Sequence, residues 1–147
     1  TPKRGGGGAP AAGEGQGEVR VTVTLGEARG LRAGARGSPD PCCTCEVLGK
    51  PHTKVQTPVC KGTLNPQWNH ETLLSECLPG DRLLFQVFDR SPSARDGGRL
   101  GSASLDAAEC FATGFDGELP LAEGSASHAM LRVRVSVAQR LLLDHWQ

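Results

Sequence analysis

The stretch from Lys61 to Asp89 constrains the fold more strongly than any other part of this sequence. It opens with Thr63-Leu64-Asn65-Pro66, a turn signal, because Asn favours turns and Pro fixes φ and cannot donate to a β-ladder. Trp68 follows where a strand would begin, Pro79-Gly80-Asp81 marks a second turn, and a strongly apolar run ends at Asp89. Turns and short apolar runs in such close succession predict consecutive antiparallel β-strands.

Alternating apolar and polar residues mark further strands at both ends of the chain. Val19 to Leu25 and Leu131 to Val137 each place an aliphatic residue at every second position, as expected of half-buried strands. The predicted strands cover residues 19–25, 42–48, 52–60, 68–74, 83–89, 100–105, 118–121 and 131–137. Asp106 is expected to cap one helical turn over residues 106–111. This pattern predicts an all-β fold, an eight-stranded antiparallel β-sandwich.

The two ends of the chain differ in composition from the predicted domain, residues 18–137. Residues 1–17 are dominated by Gly, Ala and Pro, which predicts a flexible, Gly-rich N-terminal tail or linker. Residues 138–147 are predicted to be a C-terminal extension, either a short helix or the start of a linker to a further module. The chain begins with Thr rather than Met, so we expect it to be a piece of a longer protein.

The totals argue against several function classes. Sixteen basic and sixteen acidic residues cancel, which argues against a nucleic-acid partner, since such binders carry a basic excess. No apolar run approaches the roughly 18–20 residues that span a bilayer. Nucleophile motifs such as Gly-x-Ser-x-Gly and metalloprotease motifs such as His-Glu-x-x-His are absent, so an enzyme is not expected.

Cysteine usage bears on the redox state of the chain. There are six cysteines, and they are Cys42, Cys43, Cys45, Cys60, Cys77 and Cys110. We interpret them as reduced thiols, because the chain is not of the short secreted type and three of them crowd into one predicted strand. A disulfide or a metal site is the alternative.

Four segments together resemble the C2 domain, a β-sandwich family that binds membranes, often through calcium. Residues Thr63-Leu64-Asn65-Pro66-Gln67-Trp68-Asn69 match the family's Thr-Leu-Asn-Pro-x-Trp-Asn segment, and Val87-Phe88-Asp89 matches the start of its third calcium loop. Ser38-Pro39-Asp40-Pro41-Cys42 is an altered form of its Ser-Asp-Pro-Tyr segment, and Leu100-Gly101-Ser102-Ala103-Ser104-Leu105 also fits. The resemblance covers about residues 18–137, and the strand order looks like the family's type II, circularly shifted topology.

The resemblance implies a calcium site with gaps. C2 domains that bind calcium typically use two Asp from the first loop and three from the third. Asp40 and Asp89 match two of these, and Asp96 lies near a third, so these are the candidate metal ligands. Gly34 and Ser91 stand where the other carboxylates would be. Because fewer charged ligands weaken calcium binding, calcium dependence is expected to be weak or lost. Alternatively, Asp40 and Asp89 make turn hydrogen bonds.

The resemblance also implies a lipid-binding surface. Several C2 domains use a lysine-rich strand to bind phosphoinositides or anionic lipid, and each cation near such a surface contributes roughly 1 kcal/mol. The candidate lipid-binding residues are the cations of the matching strand and of the loops, namely Lys50, His52, Lys54, Lys61, Arg36, Arg90 and Arg95. An ordinary solvated strand face is the alternative.

Two functions are therefore expected from the resemblance. The first is a membrane-targeting module that binds anionic phospholipid at the cytoplasmic face of a membrane, as a peripheral protein. The second is a calcium-independent protein–protein interaction module within a larger protein. The basic loops favour the first function, and the carboxylates missing at Gly34 and Ser91 favour the second.

Overall fold

Eight antiparallel strands in two sheets make up most of the described chain. The computed structural model describes residues 18–33, 37–94, 96–122 and 128–140. The strands are β1 (Glu18–Arg29), β2 (Pro41–Val47), β3 (Lys50–Gln56), β4 (Gln67–Leu74), β5 (Arg82–Asp89), β6 (Arg99–Asp106), β7 (Phe115–Pro120) and β8 (Met130–Arg140). A short helix, α1 (Ala107–Thr113), joins β6 to β7, and a 3-10 turn at Asp96–Gly98 precedes β6. The predicted all-β sandwich is confirmed.

The strand order brings the first and last strands of the domain together. One sheet has the order β4-β1-β8-β7 and the other β3-β2-β5-β6, and all neighbouring strands run antiparallel. The β1–β2, β3–β4 and β5–β6 connections meet at one end, where Ala28 N–H donates to Pro66 O and Thr63 N–H to Pro39 O. We call this the loop end; it comprises the described residues among 30–40, 57–66 and 90–98.

The core lies between the inward faces of the two sheets. Val23 and Leu25 of one sheet and Leu83, Phe85 and Val87 of the other are fully buried. The alternation noted in the sequence therefore identified the core faces of β1 and β8, and the continuous apolar run identified β5. Because these side chains leave water together, their burial is the main driving force for pairing the sheets.

Five of the six cysteines are buried, and four of them belong to this core, namely Cys43, Cys45, Cys77 and Cys110. All six carry free thiols, and only Cys60 is partly exposed. Burial raises the pKa of Cys43 and of Cys45, and it raises the pKa of Cys110 to about 11. These side chains are therefore neutral at pH 7 and act as small apolar core residues.

Several elements differ from the predicted ones, β1 and β7 among them, since they span Glu18–Arg29 and Phe115–Pro120, and three of the differences have a cause in the hydrogen bonding. β3 ends at Gln56, because at Thr57 the side-chain Oγ1 accepts the hydrogen bond from Cys43 N–H, at 2.9 Å. β8 continues to Arg140, since β1 starts early enough to pair Glu18 with Arg140. Asp106 precedes α1 but makes no side-chain cap; its Oδ1 instead accepts a bond from Arg82 Nε at 3.0 Å.

The predicted tail at residues 1–17 and the end of the predicted extension, residues 141–147, lie outside the described residues. Within the part that is described, no helix has the length and apolar character needed to cross a membrane.

Candidate functional site: the loop end and the basic strand

The structure places two of the predicted metal ligands, Asp40 and Asp89, side by side at the loop end. Pro41, the first residue of β2, pairs with Asp89, the last residue of β5. The backbone N–H of Asp40 donates to Asp89 Oδ1 at 2.9 Å, and Arg90 N–H donates to the carbonyl of Asp40 at 2.9 Å. Asp89 is therefore the last residue of β5, Asp40 directly precedes β2, and these hydrogen bonds fix the two residues relative to each other.

Both carboxylates already serve the loop backbone. Asp89 Oδ1 also accepts Ser91 N–H at 2.8 Å, and Asp40 Oδ1 accepts Gly62 N–H at 2.8 Å. Partial burial opposes ionisation of Asp89, but the hydrogen bonds from Asp40 and Ser91 outweigh it and lower its pKa. These are the turn hydrogen bonds named as the alternative to metal binding. One oxygen of each carboxylate is thus committed to holding loops together.

The third loop supplies little to a calcium site. Asp96 lies in the 3-10 turn, and its side chain is outside the described part of the structure. Gly98 has φ +78°, and a Cβ there would clash with the carbonyl oxygen of Asp89. A carboxylate therefore cannot replace Gly98 without moving the loop. Across the described ranges, no group of three or more His, Cys, Asp or Glu side chains could hold a metal ion.

Lys50, predicted to bind lipid, is engaged within the protein. Its Nζ donates to the carbonyl of Glu76 at 2.8 Å and lies 3.2 Å from Asp81 Oδ2. Asp81 Oδ2 also accepts Leu78 N–H at 2.8 Å. That backbone hydrogen bond, together with Lys50, lowers the pKa of Asp81. Lys50 thereby ties the β4–β5 connection to β3.

The other two predicted lipid-binding residues of β3 also have acidic neighbours. His52 Nε2 is 3.0 Å from Glu76 Oε2, and Lys54 Nζ is 3.6 Å from Glu46 Oε1. Exposed ion pairs of this kind contribute at most about 1 kcal/mol, so lipid phosphate could displace them. The carboxylates nevertheless reduce the positive potential of the strand. The sequence did not reveal these partners, because cross-strand neighbours depend on a register that residue spacing does not give.

Two cations of the loop end, Lys61 and Arg90, differ from the basic residues of β3 in their ion pairing. Lys61 is exposed beside Gly62, and the Arg90 guanidinium carbon stands 4.8 Å from the centre of the Phe88 ring. Among the residues that the structure describes, no carboxylate forms an ion pair with Lys61 or Arg90. Arg36 and Arg95 lie outside the described residues.

The Asn65-Pro66 turn and Trp68 brace this end of the sandwich. Trp68 Nε1 donates to the carbonyl of Pro41 at 3.1 Å, and Asn65 Oδ1 accepts Gly30 N–H at 3.1 Å. These bonds connect the β3–β4 connection to the start of β2 and to the end of β1. The motif therefore helps to position Pro41 and its neighbour Asp40.

Comparison with known proteins agrees with this architecture. Residues 19–121 match the C2 domain family model. A 44-residue segment is 46% identical to the mouse E3 ubiquitin-protein ligase NEDD4, and it covers 30% of this chain and 5% of that protein's length.

Two solved structures have the same fold. The two calcium-bound C2 domains of Extended-Synaptotagmin 2 match with TM-score 0.65 and 26% identity, covering 80% of this chain and 45% of that one. Human GIVD cytosolic phospholipase A2 matches with TM-score 0.71 and 20% identity, covering 88% of this chain and 18% of that one. Since the family model spans more than half of the sequence and the fold agrees, the chain belongs to the C2 domain family.

Proposed function

We propose that this C2 domain is a membrane-targeting module that binds anionic phospholipid through its loop end, with little or no dependence on calcium. C2 domains are typically non-catalytic and commonly bind lipids and calcium or mediate protein interactions. The observation that carries the proposal is a contrast between two groups of basic residues. No carboxylate of the described residues forms an ion pair with Lys61 or Arg90 at the loop end, whereas Lys50, His52 and Lys54 of β3 each lie beside one.

Charge and geometry support the loop end as the docking surface. Lysine and arginine form charge-assisted hydrogen bonds with phosphate oxygens, which are stronger than neutral ones. The Arg90 guanidinium is held above the Phe88 ring, so the side chain loses less conformational entropy when it binds a lipid. Arg36 and Arg95 would add charge from the same loops. We assign Lys50, His52 and Lys54 a smaller contribution, because each must first give up a partner.

Calcium has a minor role in this proposal. Asp40 and Asp89 offer two adjacent carboxylates, but one oxygen of each holds backbone amides. Calcium prefers six to eight oxygen ligands, so a site built on this pair needs lipid phosphate to complete it and binds weakly. Neutralising the pair with calcium would also reduce its repulsion of anionic lipid.

The proposed location follows from the same chemistry. We propose that the protein works at the cytoplasmic face of a membrane as a peripheral protein, because anionic lipids concentrate in that leaflet. Its partner is then the lipid surface itself, and the balanced charge of the chain gives no reason to expect nucleic acid as a partner.

The test is sedimentation with liposomes containing phosphatidylserine and phosphoinositide, with calcium and with a chelator. Replacing two cations that each contribute about 1 kcal/mol should weaken binding by about 10- to 30-fold, so Lys61→Ala/Arg90→Ala should show that loss in both conditions. The matched control, His52→Ala/Lys54→Ala, should lose less.

Either of two results would overturn the proposal. Equal binding by the loop-end variant and the wild type would exclude these cations as the docking surface. Binding to none of the liposomes would favour the second candidate, a calcium-independent protein interaction module. The compensated face of β3 favours that candidate, because a mixed-charge surface suits a protein partner better than a lipid bilayer.

A further inference from the structure

An open apolar groove lies at the end of the sandwich opposite the loop end. It has a volume of about 490 Å³ and is lined by the start of β1, the end of β4 and the connection that follows β4. Leu74 and Cys77 in its lining are buried. Leu73 and Leu78 are 57% and 59% exposed, the largest exposures among the large apolar side chains of the described residues. Apolar surface gathered in one concave place indicates a binding surface.

An unpaired strand edge runs along the same groove. β1 pairs with β4 only as far as Val21, which lies opposite Leu74. On its other side β1 pairs with β8 all the way back to Glu18. The segment Glu18–Arg20 therefore has a partner strand on the β8 side and, within the described residues, none on the β4 side. An extended peptide that adds to such an edge gains main-chain hydrogen bonds.

A defined turn keeps β4 away from this edge. Glu76 has φ +55°, a left-handed conformation, and its carbonyl accepts a hydrogen bond from Lys50 Nζ at 2.8 Å. Asp81 Oδ2 accepts Leu78 N–H at 2.8 Å and lies 3.2 Å from Lys50 Nζ. These contacts hold the chain after Leu74 in a course that leaves β1. The groove is therefore a fixed feature of the fold and is not produced by fraying of β4.

The two charged side chains in the lining of the groove, Arg20 and Glu76, differ in their contacts. Glu76 Oε2 lies 3.0 Å from His52 Nε2. Arg20 is exposed, and across the described ranges no carboxylate forms an ion pair with it. A ligand with acidic side chains is therefore the one that complements the charge of the groove.

The pairing of β1 gives the spacing that such a ligand needs. Val19 shares the core-side face of β1 with buried Val21, because side chains alternate along a strand. Arg20 lies on the outer face with Thr22, the residue opposite Leu73. In a strand added to β1, the residue opposite Val19 lies on the core-side face, and the residue opposite Arg20 lies on the outer face beside the guanidinium. Apolar and acidic residues must therefore alternate in the ligand.

We propose that this groove binds an extended segment of another protein in which acidic and apolar residues alternate, added as a short strand to the edge of β1. An apolar side chain of the segment covers Leu78 on the core side, and an acidic side chain contacts Arg20 on the outer side. Docking covers an unpaired edge and an exposed apolar surface, two features that would otherwise promote association between molecules. It does not rest on lipid binding, because the groove and the loop end lie at opposite ends of the sandwich.

Nuclear magnetic resonance titration of the 147-residue chain with the blocked peptide acetyl-Ser-Glu-Val-Glu-Leu-Ser-amide tests the proposal. We expect saturable shifts of the backbone amides of Val19 and Arg20 and of the methyl groups of Leu73 and Leu78. The same peptide with both glutamates replaced by lysine should bind at least about 3-fold more weakly, a factor typical of exposed ion pairs. Arg20→Glu should reverse this order, so that the lysine peptide binds more tightly than the glutamate peptide.

Two matched controls separate the groove from the rest of the surface. Arg134→Glu reverses an exposed arginine on the same outer face but outside the groove, and it should leave the preference for the glutamate peptide unchanged. Leu78→Ser should weaken binding of the glutamate peptide about 10-fold, because the buried apolar contact is lost. Leu48→Ser alters a leucine that is 52% exposed and does not line the groove, and it should have no effect.

Any of four results would overturn the proposal. The first is the absence of saturable shifts with the glutamate peptide at millimolar concentration. The second is equal affinity of the wild type for the glutamate and lysine peptides. The third is undiminished binding of a glutamate peptide methylated at its backbone nitrogens, which would exclude strand pairing. The fourth is a concentration-dependent dimer of the chain alone that Leu78→Ser abolishes, which would give the groove to a second copy.

Discussion

The carboxylate of Asp89 accepts backbone hydrogen bonds from Asp40 and Ser91, so its first task is to connect the ends of β2 and β5. The family resemblance identified Asp89 as a ligand, and the structure adds the structural role that the sequence could name only as an alternative. Gly98 also has a structural role, because its lack of a side chain lets the loop backbone pass close to the carbonyl oxygen of Asp89. Asp89 and Gly98 therefore determine the conformation of the loops, whether or not they also contribute to binding.

Replacing Asp89 with Asn separates these two roles. Asn keeps an acceptor oxygen but loses the charge, so any calcium response of liposome binding should disappear. Weaker hydrogen bonds to Asp40 and Ser91 should lower the free energy of unfolding by about 1–2 kcal/mol. Calcium titration of liposome binding and urea denaturation measure the two effects. Asp116→Asn on β7, far from the loop end, is the control, and an unchanged calcium response in Asp89→Asn would exclude this loop as the site.

At the scale of elements, alternation located the strands well because burial repeats every second residue in a sheet. It located β1 and β8, although β1 extends four residues further than predicted and β8 three, and a continuous apolar run located β5. It could not predict the surroundings of β3. The carboxylates of Glu46, Glu76 and Asp81 reach β3 from β2 and from the β4–β5 connection. Only strand pairing and loop conformation bring them there, and neither follows from residue spacing.

Lys50 should matter more for the local stability of the β4–β5 connection than for lipid binding. Lys50→Ala removes the donor to the Glu76 carbonyl and the partner of Asp81, so the connection should open more often. We expect faster amide hydrogen exchange at Leu78 and Asp81 and a small change in liposome affinity. Lys54→Ala, which removes only an exposed pair with Glu46, should leave both amides unchanged. A large loss of lipid binding in Lys50→Ala with unchanged exchange would return Lys50 to the lipid-binding surface.

For the whole molecule, the lowered carboxyl pKa values determine how stability varies with pH. Hydrogen bonds and ion pairs lower the pKa of Asp81, and Arg29 lowers the pKa of Glu118 through a two-bond contact. The pKa of Asp89 is lowered as well, against the opposing effect of its burial. A carboxyl whose pKa is lower in the folded than in the unfolded chain contributes stability above its unfolded value. That contribution disappears as the pH falls through the folded value.

The free energy of unfolding should therefore decrease as the pH falls from about 5 to about 3. This range includes the ordinary pKa values, 3.8 for Asp and 4.5 for Glu, and extends below them, because the pKa values of the folded chain are lower. Urea midpoints measured across this range should fall steadily. Asp81→Asn should show a shallower decline than the wild type, because one of the titrating groups is gone. As the pH falls and Asp81 becomes protonated, the difference between the two midpoints should narrow. Midpoints that stay constant from pH 5 to pH 3 would contradict this account.

The pairing of Glu18 with Arg140 also determines how the domain can be connected to other segments of a longer polypeptide. Both connections leave from the same end of the sandwich, about 40 Å from the loops if β1 is taken as twelve residues at roughly 3.3 Å each. A neighbouring module attached at either end would lie on the side opposite the loop end and would not obstruct binding at the loops. The two leads also lie one strand spacing apart, so the sandwich can be inserted into a host loop without stretching it.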